Sequence, residues 1–154
     1  MARTAGRNGV IGMIVMVVGV IFAVAGVVTY FIVSDQLAAE NITVSEDAAR
    51  FAGQDVTGPF TAYAEAEVIN KHALEATGGK TYAELDREDP ARQTAMQASF
   101  LRASLFTSVV AFGVAAMATV LGIVMVLIGW ALRSTGGPVV TRESSGADTA
   151  SAPA

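Results

Sequence analysis

The sequence predicts an all-α membrane protein: an antiparallel hairpin of two transmembrane helices that carries a small, mostly helical extracytoplasmic cap. Two apolar runs predict the helices, because residues 10–33 and residues 103–132 contain no charged side chain. A helix rises about 1.5 Å per residue and needs about 20 apolar residues to cross about 30 Å of hydrocarbon. The overall composition agrees, since 53% of the 154 residues are hydrophobic and only 16% are charged.

The first run follows a polar N-terminal tail, residues 1–9, and could instead be a cleaved signal peptide. Arg3 and Arg7 precede it, and the small residues of Ala23–Ala25 resemble a cleavage site. The apolar core of a signal peptide spans only about 7–15 residues, whereas this run continues without a polar break to Val33. We therefore expect a retained transmembrane helix over residues 10–33.

Residues 34–102, between the two spans, form a segment too long and too patterned to be a simple connector. The first helix is expected to continue to about Asn41, which tolerates a left-handed cap conformation. Ile42–Val44 favours a β conformation but has little to pair with. Pro59 suits a first helical turn, and the helix that it opens is expected to stop at Gly78–Gly79.

A further short helix is expected from Thr81 to Glu88, because Thr81–Glu84 matches a capping box. Asp89 and Pro90 then serve as the N-cap and first position of a helix that continues into the second span, residues 103–132. Residues 133–154 are rich in Ser, Thr, Gly, Pro and Ala and bury little, so they predict a disordered cytoplasmic tail.

The orientation follows from basic residues near the membrane ends. Arg3 and Arg7 precede the first span and Arg133 follows the second, whereas Arg102 is the nearest basic residue on the other side. This modest bias places both termini in the cytoplasm and residues 34–102 outside the cell membrane. We expect a multi-pass protein of the plasma membrane, in contact with the lipid bilayer.

The segment between the spans is acidic, with twelve Asp and Glu residues against six Lys and Arg residues. Nucleic-acid binding depends on neutralising phosphates with basic side chains, so this surface argues against a nucleic-acid partner. The chain contains no cysteine, which excludes disulfides and thiol chemistry. The segment must be stabilised by packing alone.

Both spans carry small residues at spacings of three, four and seven, which predicts a helix-packing seam on each. In lipid, small residues that let backbones approach closely mark contact faces. Whether these seams pack within the chain or against another protein stays open. The predicted packing residues are Gly12, Gly19, Ala23, Gly26, Ser108, Ala111, Ala115, Ala118, Gly122 and Gly129.

His72, the only histidine, is the strongest candidate for a metal ligand, together with Glu75 one helical turn later. Its helix buries an apolar stripe about 120° away, so His72 is expected on the exposed side, close to Glu65. A catalytic zinc site generally needs three protein ligands, and this chain offers one histidine. We therefore predict neither a metal nor another cofactor. The apolar stripe consists of Ala62, Ala66, Ile69 and Ala73.

The stretch from Thr57 to Met117, "TGPFTAYAEAEVINKHALEATGGKTYAELDREDPARQTAMQASFLRASLFTSVVAFGVAAM", resembles a group of small two-span actinobacterial membrane proteins. The resemblance implies the two-span topology and a bacterial host. Members of the group are often labelled aromatic ring-opening dioxygenases, an activity that implies non-haem iron held by histidines and a carboxylate. His72 alone cannot supply two histidine ligands, so the residues do not support that activity.

These observations predict a non-enzymatic accessory or scaffold protein that presents an acidic helical surface to a membrane-protein or cell-envelope partner, or to further copies of itself. Two alternatives remain. One is a metal-dependent redox enzyme that uses His72, with a second copy completing the site. The other is a small oligomeric pore, which the uncharged spans disfavour because ion pathways usually contain ionisable groups.

Overall fold

A computed structural model describes residues 2–134 of the chain, with side chains from Asn8 onward. It contains three helices, α1 (Ala2–Ala39), α2 (Pro59–Ala76) and α3 (Arg92–Ser134). No strand occurs among these residues, so the all-helical prediction is confirmed. Residues 8–39 of α1 and the whole of α3 are long and apolar enough to cross a membrane. The predicted C-terminal tail lies almost entirely outside the described residues.

The helices α1 and α3 pack side by side and run in opposite directions. Near the start of α1, Gly12 lies against Gly129 of α3. One and two heptads later, Gly19 lies against Gly122 and Gly26 lies against Ala115. The contacts therefore ascend along α1 as they descend along α3, and glycine occurs where the two backbones approach most closely.

The buried positions of both helices recur every seven residues, which is the repeat of helices that pack at a shallow left-handed angle. Gly12, Gly19 and Gly26 are buried on α1, and Ala115, Gly122 and Gly129 are buried on α3. Larger side chains meet farther along α1, where the ring centroids of Tyr30 and Phe112 are 4.9 Å apart. The other faces of both helices expose apolar side chains such as Phe31 and Val110.

Residues 42–56 form a small paired loop, which corrects the expectation that Ile42–Val44 has little to pair with. A β-bridge joins Thr43 to Asp55, and the Val44 and Val56 amides donate to carbonyls across the loop at 2.8 Å. The reversal between the two arms uses Phe51 and Gly53, with φ of 62° and 71°. Sequence spacing missed this pairing because the two arms are too short to show a strand pattern.

The helix α2 has the boundaries that its sequence predicts. It begins at Pro59 and ends at Ala76, where Gly78 and Gly79 adopt φ of 64° and 84°. The amide of Gly79 donates to the Leu74 carbonyl at 2.7 Å, closing the turn that commonly ends a helix at left-handed glycines. Glycine is required here because side-chain-bearing residues rarely adopt this conformation.

The prediction of a short helix between Thr81 and Glu88 is wrong, because these residues form turns. The Glu84 carboxylate does accept hydrogen bonds from the Thr81 amide (2.8 Å) and hydroxyl (2.7 Å). However, Arg92 donates to the Leu85 carbonyl at 2.6 Å, which directs that carbonyl away from a helical partner. The helix α3 was expected to start at Pro90, and it begins two residues later, at Arg92.

A single apolar core joins all these elements. It contains side chains from the end of α1, from the paired loop, from the first half of α2 and from the N-terminal part of α3. Its buried residues are Leu37, Val44, Val56, Ala62, Ala66, Leu105 and Phe112. The Ser34 hydroxyl adds a link by donating to the Thr57 carbonyl at 2.7 Å.

Candidate functional site

Asp47, in the paired loop, binds two neighbouring side chains of α2. Its Oδ2 accepts a hydrogen bond from Lys71 Nζ at 2.8 Å and lies 2.9 Å from His72 Nε2. The hydrogen bond from Lys71, followed by that from His72, lowers the pKa of Asp47 from 3.8 to about 2. The same bond raises the pKa of Lys71. All three side chains are about half exposed, so water screens this cluster.

The structure places His72 on an exposed face of α2, and its partner is Asp47 from 25 residues earlier in the chain. Glu75, the other candidate ligand, is exposed one turn later on the same helix. Among residues 2–134 no three acidic or histidine side chains converge in a way that could hold a metal ion. Sequence reasoning missed Asp47 because nothing in the local pattern indicates which loop residue reaches α2.

Glu65 differs from its expected position on the exposed side with His72, since it is buried with 7% of its surface exposed. Its carboxylate accepts hydrogen bonds from the Ser45 amide (2.8 Å) and hydroxyl (3.2 Å). A buried carboxylate requires such partners. Together with Asp47, this interaction fixes the paired loop to α2 at two points.

The loop groove, a cavity of about 460 Å³, lies between the paired loop and α2. Aromatic side chains form much of its wall, and Phe51 holds a left-handed backbone conformation that is rare for a bulky residue. The residues that line it are Asp47, Ala48, Ala49, Arg50, Phe51, Phe60, Tyr63, Ala64, Glu67, Val68 and Lys71.

The α2–α3 groove, of about 490 Å³, shares Tyr63, Glu67 and Lys71 with the loop groove and continues toward α3. Tyr63 packs edge-on against Phe106, with centroids 5.8 Å apart. The Arg102 guanidinium lies 5.7 Å from the Phe106 ring centroid. Its Nε is buried and has no hydrogen-bond partner among the described residues. The remaining lining residues are Asn70, Leu74 and Glu75.

Most of the predicted packing residues lie in the contact between α1 and α3, and the others are only partly covered. On α3, Ala115, Gly122 and Gly129 are buried, whereas Ser108, Ala111 and Ala118 are only half-buried. On α1, the backbone of half-buried Ala23 lies against Gly122, and Gly12, Gly19 and Gly26 contact α3 directly. The seams thus face each other within one chain. Phe112 and Leu105 are also buried, but the predicted seam did not include them because it was defined by small residues alone.

Comparison with known proteins adds no assignment, since no family model, curated protein or solved structure matches the chain.

Proposed function

We propose that α1 and α3 form a transmembrane hairpin in the plasma membrane, with cytoplasmic termini and an extracytoplasmic cap built by residues 34–102. In this proposal the protein is a non-enzymatic accessory or scaffold protein, and the cap is its binding surface. The single core that joins α1, the paired loop, α2 and α3 is the observation that supports it. Such a core holds the cap in a fixed position relative to the membrane helices.

The charge of the cap indicates a partner with a basic surface. Ten of the twelve acidic residues between the spans are exposed, all except Glu65 and Asp89. Complementary charges promote association and determine its orientation more than they add affinity. We expect the partner to be a membrane protein or a cell-envelope component that faces the cap.

The small-residue seams are not available to that partner, because they are already occupied in the contact between α1 and α3. A partner helix would have to pack on the outer faces of the hairpin, which expose large apolar side chains. We therefore assign recognition to the cap and anchoring to the hairpin.

Copurification tests the proposal. The chain is purified in mild detergent from cells that express it at several levels, and bound proteins are quantified by mass spectrometry. We expect a stoichiometric partner that is lost when Asp86→Asn and Glu88→Gln neutralise two exposed turn residues. The matched control is Lys80→Gln, an exposed change that removes a positive charge. Recovery of this chain alone at every level would contradict the proposal.

A further inference from the structure

We propose that the α2–α3 groove binds the headgroup of a zwitterionic aminophospholipid, with the phosphate against Arg102 and the ammonium against Glu67 and Glu75. The inference rests on the proposed function, because it requires α3 to enter the bilayer about two turns after Arg102, below the residues that pack against the cap. The groove then opens at the level of the lipid headgroups. Its volume of about 490 Å³ lies within the range of small-molecule sites.

Arg102 lies at the depth where a lipid phosphate would be. It is the last charged residue before the uncharged run of residues 103–132. Long basic side chains near helix ends extend toward the membrane interface and keep the charged group in the polar region. In the proposed topology the Arg102 guanidinium would therefore lie at the level of the lipid headgroups, outside the hydrocarbon.

The donors of Arg102 are not satisfied within the described part of the chain. Its buried Nε has no hydrogen-bond partner, and its guanidinium faces the Phe106 ring. Arg92, by contrast, donates to two backbone carbonyls and lies over the Tyr82 ring. A guanidinium offers five donors in a planar fork that suits the oxygens of a phosphate.

Lys71 does not compete for this role, because Asp47 holds its ammonium at 2.8 Å. Arg102 is thus the cation of the groove that forms no ion pair among the described residues. A phosphate placed against the guanidinium would accept hydrogen bonds from its terminal N–H groups, for which the described residues provide no acceptor.

Two carboxylates give the groove its selectivity for an amine. Glu67 and Glu75 both line it and are exposed, and neither carboxylate accepts a hydrogen bond from the described residues, although the charge of Glu75 also acts on Lys71. The charged residues that line the groove are thus two cations, Arg102 and the Asp47-bound Lys71, and two anions, Glu67 and Glu75. A headgroup with both a phosphate and an ammonium matches this arrangement, whereas a purely anionic headgroup would face the two carboxylates.

The apolar part of the groove suits the rest of the lipid. Tyr63, Leu74 and Phe106 line it beside the polar residues. Phe106 is one turn beyond Arg102 toward the membrane, and Val110, a further turn along, exposes 65% of its surface. This row gives an acyl chain a continuous apolar surface along α3.

Native mass spectrometry of the purified full-length protein tests the inference, with phosphatidylethanolamine and phosphatidylglycerol titrated in detergent. We expect wild-type protein to retain phosphatidylethanolamine preferentially and Arg102→Gln to reduce its retention about tenfold, the typical effect of losing one charged hydrogen bond. Arg87→Gln, an exposed change outside the groove, is the control and should retain lipid like wild type. The double change Glu67→Gln and Glu75→Gln should abolish the preference.

The inference would be overturned by equal retention by Arg102→Gln and Arg87→Gln, by equal retention of the two lipids by wild type, or by displacement of the lipid by inorganic phosphate. If circular dichroism shows that Arg102→Gln loses helicity, Arg102→Lys decides. Lysine keeps the positive charge but lacks the planar set of guanidinium donors, so unchanged lipid retention by Arg102→Lys would contradict the inference. Copurification of a partner is measured separately, so failure here with a retained partner would leave the proposed function standing.

Discussion

Gly19 and Gly122 meet so closely between α1 and α3 that a Cβ on Gly19 would lie 2.7 Å from the Gly122 carbonyl oxygen. A Cβ on Gly122 would in turn lie 2.5 Å from the Gly19 carbonyl oxygen. The obstacle on both sides is backbone, which cannot rotate away as a side chain can. These two glycines therefore set the distance between the helices.

Replacing either glycine by alanine is expected to destabilise the helix pair by about 1–3 kcal/mol, the usual cost of overpacking a well-packed contact. Reversible unfolding in mixed detergent micelles measures the effect for Gly19→Ala and Gly122→Ala. The matched control is Gly113→Ala, because a Cβ at Gly113 meets no atom within 4 Å. Equal stability of all three variants would show that the close contact is not present in the micelle.

The Asp47 interaction predicts a loss of stability in acid. Lys71 and His72 lower the pKa of Asp47 from 3.8 to about 2, so the folded state binds this proton more weakly than the unfolded state. The contribution is complete above about pH 4 and is lost as the pH falls toward 2. Thermal melting curves of wild type and Asp47→Asn should differ near pH 6 and converge near pH 2. A constant difference at every pH would contradict this assignment.

Glu65 predicts a local effect on the paired loop. Replacement by Ala removes the acceptor of the Ser45 amide and leaves that donor poorly satisfied, at a cost of about 1–3 kcal/mol. Hydrogen exchange at Ser45 should accelerate in Glu65→Ala. Glu88→Ala removes an exposed acid in a turn and should leave that exchange rate unchanged. Similar rates in the two variants would mean that Glu65 does not fix the loop.

The orientation predicts which residues are accessible from outside the cell. Because the chain has no cysteine, single cysteines can be labelled without background. Ala83 is exposed in the turns before α3, and Ser144 is in the C-terminal region of the sequence. An impermeant thiol reagent should label Ala83→Cys but not Ser144→Cys in intact cells, and should label both after lysis. The reverse pattern in intact cells would invert the proposed topology.

The sequence was most informative where a local pattern determines the structure. The two long apolar helices follow from uncharged runs, and the ends of α2 follow from Pro59 and the pair Gly78–Gly79. The local pattern predicted the wrong structure between residues 81 and 88. The capping box forms there, but Arg92 binds the Leu85 carbonyl and the backbone forms turns. A side-chain contact from seven residues later in the chain competes with the helical preference there.

The candidate site was less predictable for the same reason. His72 was singled out because it is the only histidine, yet Asp47 and Glu65 determine how the loop attaches to α2. Those contacts join residues 20 and 25 positions apart, and no spacing rule identifies them. Arg102 was noted only as a charge near a membrane end, and its unsatisfied Nε becomes visible only when α2 and α3 are in place.

The shared core also couples the cap mechanically to α1 and α3. The helix α3 has 43 residues and is therefore about 65 Å long, roughly twice the thickness of the hydrocarbon. Because Leu37, Val56 and Phe112 pack into the same core, the cap cannot swivel independently of the helices. In the proposed transmembrane topology, a sideways force on the cap would tilt the two helices together, so the cap and the far ends of α1 and α3 would move in opposite directions.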